Sequence, residues 1–333
     1  MIKIGTIGTN WITQRMVEAA TATGEYELAA VYSRHEDTGK AFAEKNHCQQ
    51  VYCSLNDFMS SDQFDTVYIA SPNVFHFAQV LEAIQHDKNV IVEKPAFMNP
   101  RQMQRVLDEL TLHPQVRLFE AARNVHMPAF KAVQKTLAKV HQLAGADFVF
   151  SQYSSRYDLV LAGETPNVFN FKFAGGALAD LGIYPLYDAI GLFGLPIKQI
   201  YYPTMIATGA DGKGTAILHY ADYDITLNFS KISSSKHESE IYAGRDIIAI
   251  DNGGEFTEVK LITPDETKVI SPKYVKNPMI PEMTDFANVL NHHDNPEIQR
   301  QYQAWLQLMQ QVNETLNNLA VSAGIHYPNQ FKE

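Results

Sequence analysis

Short apolar runs alternate with amphipathic stretches through the first 123 residues, and this rhythm restricts the fold more than any other feature of the sequence. Nearly continuous apolar runs are typical of parallel strands that are buried on both faces. Their alternation with helical stretches predicts a parallel sheet covered by helices on both sides. The predicted strands are Ile2–Ile7, Glu27–Tyr32, Thr66–Ala70, Asn89–Val92 and Val116–Phe119.

The rest of the chain has a different rhythm. Strand-like segments between Ala146 and Ile262 are separated by Asp-Gly and Asn-Gly-Gly turns, which favour hairpins and a mostly antiparallel sheet. A predicted helix near residues 176–192 interrupts these strands, and two further helices are predicted after residue 281. We therefore predict an α/β domain at residues 1–123, followed by an α+β domain at residues 124–333 with a mostly antiparallel, open-faced sheet.

Composition excludes several classes of protein. The 333 residues exceed what a single hydrophobic core usually serves, which supports two domains. The net charge of −10, without a stripe of Lys and Arg, argues against a nucleic-acid partner. Cys48 and Cys53 lack partners at metal-binding spacing, so we expect reduced thiols, no metal site and a cytoplasmic location. No apolar run is long enough to cross a membrane, so no membrane partner is expected.

The fourth predicted strand ends abruptly in Glu93-Lys94-Pro95. Ligands bind at the carboxyl ends of strands in an open α/β sheet, and Pro95 biases Lys94 toward an extended conformation there. Partial loss of hydration would lower the pKa of Lys94 and suit it to proton transfer. The alternative is an exposed lysine that merely ends a strand.

The first strand leads into a glycine turn and then into a helix, an arrangement that can hold a pyrophosphate on backbone N–H groups. Asn10 and Thr13 replace the second and third glycines of the Gly-x-Gly-x-x-Gly pattern, and an ordinary strand–turn–helix is the alternative. We expect Asn10 to preserve the turn because asparagine tolerates positive φ. The predicted phosphate-binding residues are Gly8, Thr9, Asn10, Trp11 and Ile12.

The second strand ends in Ser33-Arg34, and no acidic residue comes before Glu36. An acid at this place usually binds the ribose of NAD, whereas a hydroxyl and a guanidinium suit the 2′-phosphate of NADP. We therefore predict NADP, with NAD as the second choice; a solvated surface arginine is the alternative for Arg34.

The third predicted strand ends in the same crevice, where a nicotinamide ribose would lie. For His76, a packing role at the start of a helix is the alternative to cofactor contact. The residues assigned to the cofactor here, together with Glu93 and Lys94, are Ser71, Pro72, Asn73 and His76.

In the second half, Gly175-Gly176 opens the predicted helix that carries Asp180 and Tyr184. Their i, i+4 spacing would place them on one helical face. A phenol with a carboxylate and a lysine can move a proton to or from a carbonyl oxygen while hydride is transferred. Surface or core packing is the alternative role for both residues.

In this order, these segments, together with Glu120-Ala121, Arg123 and Pro128, resemble the Gfo/Idh/MocA family, named for glucose–fructose oxidoreductase and inositol dehydrogenase. The tyrosine at position 184 is similar to the dihydrodiol dehydrogenase and NADP-dependent xylose dehydrogenase branch. The resemblance implies an N-terminal Rossmann dinucleotide-binding domain. It also implies that Lys94 binds or protonates the substrate oxygen, that Tyr184 donates or accepts the proton, and that Asp180 orients the substrate or tunes the lysine. Residues 166–174 depart from the branch pattern, and we expect them to line the substrate pocket.

These observations predict an NAD(P)-dependent dehydrogenase that acts on a sugar, polyol or diol. A sensor or regulatory protein of the same fold, without turnover, is the alternative. A hydrolase or lyase that retains bound NAD is a further alternative. Apolar residues on both faces of the segment Ile197–Ile206 predict a homodimer or a higher homo-oligomer.

Overall fold

A computed structural model describes residues 1–140 and 142–328. The chain divides into two compact units. The first comprises Met1–Ala121 and Asn277–Met309, and the second comprises Ala122–Lys276 and the chain from Gln310 onward.

The elements follow the predicted order closely. The strands are β1 Ile2–Ile7, β2 Tyr26–Tyr32, β3 Gln50–Tyr52, β4 Thr66–Ile69, β5 Asn89–Glu93, β6 Leu118–Ala121, β7 Leu143–Ser151, β8 Lys198–Met205, β9 Asp211–His219, β10 Asp224–Ser230, β11 Ser239–Ala243, β12 Asp246–Ile250, β13 Val259–Ile262 and β14 Thr267–Val269. The α-helices are α1 Trp11–Thr23, α2 Glu36–Lys45, α3 Leu55–Met59, α4 His76–Gln85, α5 Pro100–Leu112, α6 Arg123–His126, α7 Pro128–Leu137, α8 Tyr157–Leu161, α9 Ile183–Phe193, α10 Met279–Asn291 and α11 Pro296–Ser322.

The first unit contains a parallel sheet with the strand order β3-β2-β1-β4-β5-β6. All four residues of β4 are buried, as expected for a central strand covered on both faces. One apolar cluster contains Met16 and Phe286, and the other contains Val80 and Val106, so helices pack on both sides. The predicted Rossmann-type sheet is therefore confirmed, and the carboxyl ends of its strands share one edge.

The position of the two C-terminal helices differs from the predicted domain division, which placed all of residues 124–333 in the second domain. Helix α10 and α11 as far as Met309 belong to the first unit. Phe119 of β6 stacks on Phe286 with ring centres 4.6 Å apart, and the Tyr26 hydroxyl donates to the Met283 carbonyl. These helices bury their apolar faces on a sheet formed much earlier in the chain, which local rhythm alone does not indicate.

The second unit contains an eight-stranded sheet with the order β14-β13-β12-β11-β7-β10-β9-β8. Only the pair β7–β10 is parallel among these neighbours, so the predicted mostly antiparallel sheet is confirmed. Helix α9 packs on β7 and β10. The buried side of the sheet includes Ile225, Leu227 and Phe229 of β10.

None of the described helices is long and apolar enough to cross a lipid bilayer.

Candidate active site

The turn after β1 has the backbone conformation that requires glycine at its first position. Gly8 has φ of +112°, and a Cβ atom there would lie 3.0 Å from the Ala70 carbonyl oxygen at the end of β4. Positive φ and this close approach both exclude most other residues. The turn therefore brings the ends of β1 and β4 together.

Asn10 preserves this turn in a different way from the predicted one. Its φ is −83°, so positive φ is not needed at this position. It is the N-cap of α1: its side-chain oxygen accepts hydrogen bonds from the N–H groups of Ile12 and Thr13, at 3.0 and 3.1 Å. Its amide group donates to the Ala70 carbonyl at 3.0 Å. Asparagine thus replaces glycine because its side chain caps the helix and ties it to β4.

Because Asn10 caps the helix, only some backbone N–H groups of the turn remain available to bind a phosphate. The Ile12 N–H is engaged by Asn10. Within the described residues, the N–H groups of Thr9, Asn10 and Trp11 make no hydrogen bond. Unpaired N–H groups at the start of a 13-residue helix fit an anionic pyrophosphate. Among the described residues, Met1 and Leu112 alone have large apolar side chains more exposed than that of Trp11.

Ser33 and Arg34 follow β2 at the same edge of the sheet. The Ser33 hydroxyl is buried and donates to the His35 carbonyl at 2.9 Å, which fixes the loop. Arg34 is exposed, and within the part of the chain that the structure describes its guanidinium makes no hydrogen bond or ion pair. This arrangement leaves the guanidinium accessible to an anion.

The segment after β4 begins with Ser71, whose hydroxyl donates to the Gln79 side chain at 2.7 Å. Pro72 then precedes a short 3₁₀ turn at Asn73–Phe75, and α4 starts directly at His76.

His76 itself is completely buried, which favours the packing role over direct cofactor contact. Nδ1 lies 3.0 Å from the Pro95 carbonyl oxygen, and Nε2 lies 2.8 Å from the Ser71 carbonyl oxygen. Burial, with a smaller contribution from the charge of Lys94, lowers the pKa of His76 to about 4, although both carbonyls oppose this shift. The neutral ring has one N–H and donates to one of these two carbonyls, so His76 lies between the loop after β4 and the loop that carries Lys94.

Lys94 is half-buried at the carboxyl end of β5, and the Lys94–Pro95 peptide bond is cis. Glu93, the last residue of β5, accepts a hydrogen bond from the Tyr68 hydroxyl. Glu120 on the neighbouring strand accepts a hydrogen bond from the Ala96 N–H at 2.9 Å. Hydrogen bonds on both sides of Lys94 thus define its position at the sheet edge.

Asp180 and Tyr184 lie in the second unit, on a helix that is less regular than predicted. Leu178–Gly182 forms a π-helical turn, and the α-helix begins only at Ile183. Such turns place side chains differently from an α-helix and often occur at functional sites. The two side chains consequently have different partners in this unit.

Asp180 is paired with a lysine that the sequence did not single out. The Lys231 ammonium, just after β10, lies 2.6 Å from the Asp180 carboxylate. Tyr184 is buried, and its hydroxyl oxygen accepts a hydrogen bond from Arg123 Nη1 at 2.6 Å. Arg123 also lies 3.4 Å from the Glu255 carboxylate, which in turn accepts from the Tyr274 hydroxyl at 3.0 Å.

Asn124 of α6 fixes helix α9 next to Tyr184. Its side-chain amide donates to the Tyr184 carbonyl at 3.1 Å and to the Asp188 carboxyl group at 2.7 Å. Complete burial raises the pKa of Asp188 well above its usual range. Of these supporting residues, Arg123 belongs to the segment on which the family resemblance rests. The sequence signal for Lys231 was its position directly after the strand predicted at Ile225–Ser230.

A family model described as an oxidoreductase family with an NAD-binding Rossmann fold, Gfo/Idh/MocA, matches residues 2–141. The chain is 37% identical over 300 residues to the uncharacterized oxidoreductase YgjR of Escherichia coli, covering 89% of this chain and 91% of that protein. It is also 37% identical over 251 residues to the scyllo-inositol 2-dehydrogenase (NADP(+)) IolU of Bacillus subtilis, covering 75% and 76% of the two chains.

Among solved structures, KijD10, a 3-ketoreductase from Actinomadura kijaniata in complex with NADP and TDP-benzene, has the same fold. Its TM-score is 0.83 at 19% identity, over 96% of this chain and 97% of that one. The family model and the two bacterial relatives also confirm the resemblance found in the sequence. The chain belongs to the Gfo/Idh/MocA family of oxidoreductases, which has an NAD-binding Rossmann fold.

Proposed function

We propose that the protein is an NADP-dependent dehydrogenase or reductase that acts on a secondary alcohol, or the matching carbonyl, of a sugar, polyol or diol. The observation that carries this proposal is the 37% identity, across three quarters of both chains, to a scyllo-inositol 2-dehydrogenase named for NADP(+). A weaker relative, 23% identical over 199 residues, is the trans-1,2-dihydrobenzene-1,2-diol dehydrogenase of Xenopus tropicalis. Both names refer to cyclic alcohols, which supports the substrate class.

The residues of the first unit fit a dinucleotide. Gly8 permits the tight turn after β1, and the N–H groups of Thr9, Asn10 and Trp11 suit its pyrophosphate. Arg34 is exposed beyond β2, where a 2′-phosphate would distinguish NADP from NAD, and we assign it to that group. Ser71, Pro72, Asn73 and Glu93 line the same sheet edge, and His76 supports the loops there.

When bound, the nicotinamide supplies or accepts the hydride. We assign the hydroxyl proton to Lys94 and Tyr184. Because Arg123 donates to the phenolic oxygen of Tyr184, the proton of Tyr184 points away from Arg123. Asp180 offers an acceptor for a substrate hydroxyl, and residues 166–174 are assigned to the substrate pocket.

We further propose a cytoplasmic homo-oligomer, most simply a twofold dimer. On the side of the second sheet opposite α9, Ile200 pairs with Ile217 and Tyr202 with Thr215 across β8 and β9. The side chains of Ile200 and Tyr202 are 39% and 57% exposed. An apolar row on an open sheet face supports association through that face.

The test is cofactor-linked absorbance of the purified protein against aldoses, polyols including scyllo-inositol, and cyclic diols, with NADP and with NAD. We expect turnover with at least one polyol or diol, and faster turnover with NADP. Absence of turnover across the panel, despite measurable NADP binding in a fluorescence titration, would contradict the proposed substrate class and favour a sensor without turnover.

A further inference from the structure

Lys231 is one of the most deeply buried charged residues in the described chain. It follows β10 directly, and its side chain is only 2% exposed. Lysine is rarely buried unless its ammonium group is paired, because removing the charge from water is costly. A specific set of partners must therefore hold this ammonium group.

Three groups of this unit surround the ammonium group of Lys231. Nζ lies 2.6 Å from the Asp180 carboxylate and donates to the Val168 carbonyl at 2.7 Å. It also lies 4.4 Å from the centre of the Phe169 ring, in cation–π geometry. An ammonium group has three N–H donors; two oxygen atoms and one aromatic ring surround this group. Lys231 is therefore suited to holding other groups in place, and not to exchanging protons with a substrate.

The two members of the Lys231–Asp180 ion pair differ in exposure, and the Asp180 carboxylate is the accessible one. The side chain of Asp180 is 35% exposed, whereas that of Lys231 is sealed behind it. A second buried group holds the start of the same π-helical turn: Asp211 accepts hydrogen bonds from the Leu178 N–H at 2.7 Å and from the Tyr201 hydroxyl at 2.6 Å. The accessible Asp180 carboxylate thus belongs to a turn that two buried side chains, Lys231 and Asp211, hold in place.

Lys231 also connects this carboxylate to residues 166–174. Val168 and Phe169 belong to a 3₁₀ turn in that segment, and Phe169 is fully buried. A Cβ atom at Gly175 would lie 2.8 Å from the backbone carbon of Val168, so the segment packs tightly against the chain that leads into the π-helical turn. One ammonium group therefore bonds to both the carboxylate and the segment assigned to the substrate pocket.

We propose that Lys231 is a positioning residue: it fixes the orientation of the Asp180 carboxylate and couples it to residues 166–174, so that both present one substrate-binding surface. This inference rests on the proposed function for its substrate class. The contacts of Lys231 with Asp180 and Val168 stand independently of that function. A purely stabilising ion pair is the competing explanation.

The chain offers a matched control in Lys88. This lysine is also buried; its ammonium donates to the carbonyls of Ser61 and Phe64 at 2.6 and 2.7 Å and lies 4.8 Å from the Phe64 ring centre. It lies just before β5, at the opposite end of that strand from Lys94. Lys88→Met removes a similar buried ammonium group without a neighbouring catalytic carboxylate.

The first experiment follows the ionisation of Asp180 by carbon-13 NMR of labelled aspartate, with the signal assigned by its loss in Asp180→Asn. Removing the adjacent cation in Lys231→Met should move the Asp180 titration to higher pH, because a neighbouring cation favours the ionised carboxylate. Asp211, when it is ionised, shifts the titration in the same direction. Lys88→Met should leave it unchanged. An unchanged titration in Lys231→Met would overturn the proposal, and this measurement does not depend on turnover.

The second experiment is a double-mutant cycle in kcat/KM with a substrate found in the panel. We expect Lys231→Met to lower kcat/KM by roughly tenfold or more, mainly through KM, with Lys231→Arg recovering part of the loss and NADP affinity unchanged. Adding Lys231→Met to Asp180→Asn should cause little further loss. Strictly additive losses would show that Lys231 does not act through Asp180 and would overturn the proposal. Absence of turnover in the unmodified protein would contradict the proposed function alone.

Discussion

Arg123 donates a hydrogen bond from Nη1 to the phenolic oxygen of Tyr184 over 2.6 Å, and its guanidinium carbon lies 4.7 Å from the centre of the same ring. A cation this close favours the phenolate form of a tyrosine. Glu255 lies 3.4 Å from the same guanidinium and partly offsets its charge. The family resemblance implied a tuning role only for Asp180, toward Lys94, whereas the second unit supplies a further cation and a further carboxylate beside Tyr184.

The first prediction concerns the pH dependence of turnover. Alcohol oxidation requires a base, so its rate should rise toward alkaline pH. Tyr184→Phe should lower turnover and flatten this rise. Arg123→Gln should move the rise to higher pH, because the phenolate loses its stabilising cation, and Glu255→Gln should move it to lower pH. Initial-rate assays at a series of pH values, with saturating NADP, measure these profiles.

Tyr220→Phe is the control for these variants, because it removes another buried hydroxyl of the same unit, one that donates to the Gly194 carbonyl at 2.9 Å. Its pH profile should match that of the unmodified protein. If Tyr184→Phe kept the unmodified profile, Tyr184 would be a packing residue and Lys94 the sole proton-transfer group.

The second prediction is that Lys94→Met reduces turnover by roughly 10² or more, the usual scale for a positioned proton-transfer group. NADP binding should survive, because the pyrophosphate is assigned to the turn after β1. Steady-state kinetics and fluorescence titration of NADP measure the two effects separately. Lys88→Met, at the other end of β5, should keep its turnover; near-normal turnover in Lys94→Met would refute the catalytic assignment.

The third prediction concerns cofactor choice. Arg34→Ala should reduce the preference for NADP over NAD by about 1.5–3 kcal/mol, the range for a hydrogen bond to a charged group. Arg300 is also exposed in the first unit, and Arg300→Ala should leave the preference unchanged. Dissociation constants for both cofactors give the comparison. A tenfold preference of the unmodified protein for NAD would contradict the assignment of Ser33 and Arg34.

The features predicted correctly from the sequence are those with a local signal. Strands such as β4 and β5 were found because they are continuously apolar, and the order of elements then determined the fold class. The three-residue edge strands β3 and β14 were missed because they are too short to show a pattern. The role of Asn10 was predicted through positive φ, although the residue acts as a helix cap, because side-chain geometry decides between these two roles.

Pairings across long sequence separation were beyond sequence analysis. Asp180 meets Lys231 because β10 packs against the π-helical turn, and Tyr184 meets Arg123 because α6 packs against α9. The i, i+4 spacing of Asp180 and Tyr184 suggested a shared helical face, but the π-helical turn before Ile183 changes their relation. For the same reason, the return of α10 to the first sheet could not be predicted from its amphipathic pattern alone.

The fourth prediction follows from the burial of His76. Its pKa of about 4 in the folded protein lies below the ordinary value of 6.5, so the unfolded chain binds the additional proton between these pH values. The contribution of His76 to stability is therefore fully present above pH 6.5 and is lost as pH falls toward 4. Between pH 7.5 and pH 5 the loss should be roughly 2 kcal/mol.

Urea denaturation at these two pH values measures this contribution. In His76→Asn, which cannot take up the proton, the pH-dependent difference should shrink by about that amount. His35 is exposed, so His35→Asn should keep the difference seen in the unmodified protein. An equal pH dependence in His76→Asn would mean that His76 is not the group responsible.

The last prediction concerns assembly. Tyr202 and Ile200 of β8 are exposed on the sheet face opposite α9, next to Thr215 and Ile217 of β9. If two copies pack through this face, a charge introduced there must be buried without a partner, which strongly disfavours association. Tyr202→Lys and Ile200→Glu should each shift the protein from dimer to monomer, whereas Leu112→Lys, at an exposed leucine of the first unit, should not. Light scattering at micromolar concentration measures the mass. A mass of 37.5 kDa for the unmodified protein would contradict the proposed oligomer, and a dimer that survives both sheet substitutions would place its interface elsewhere.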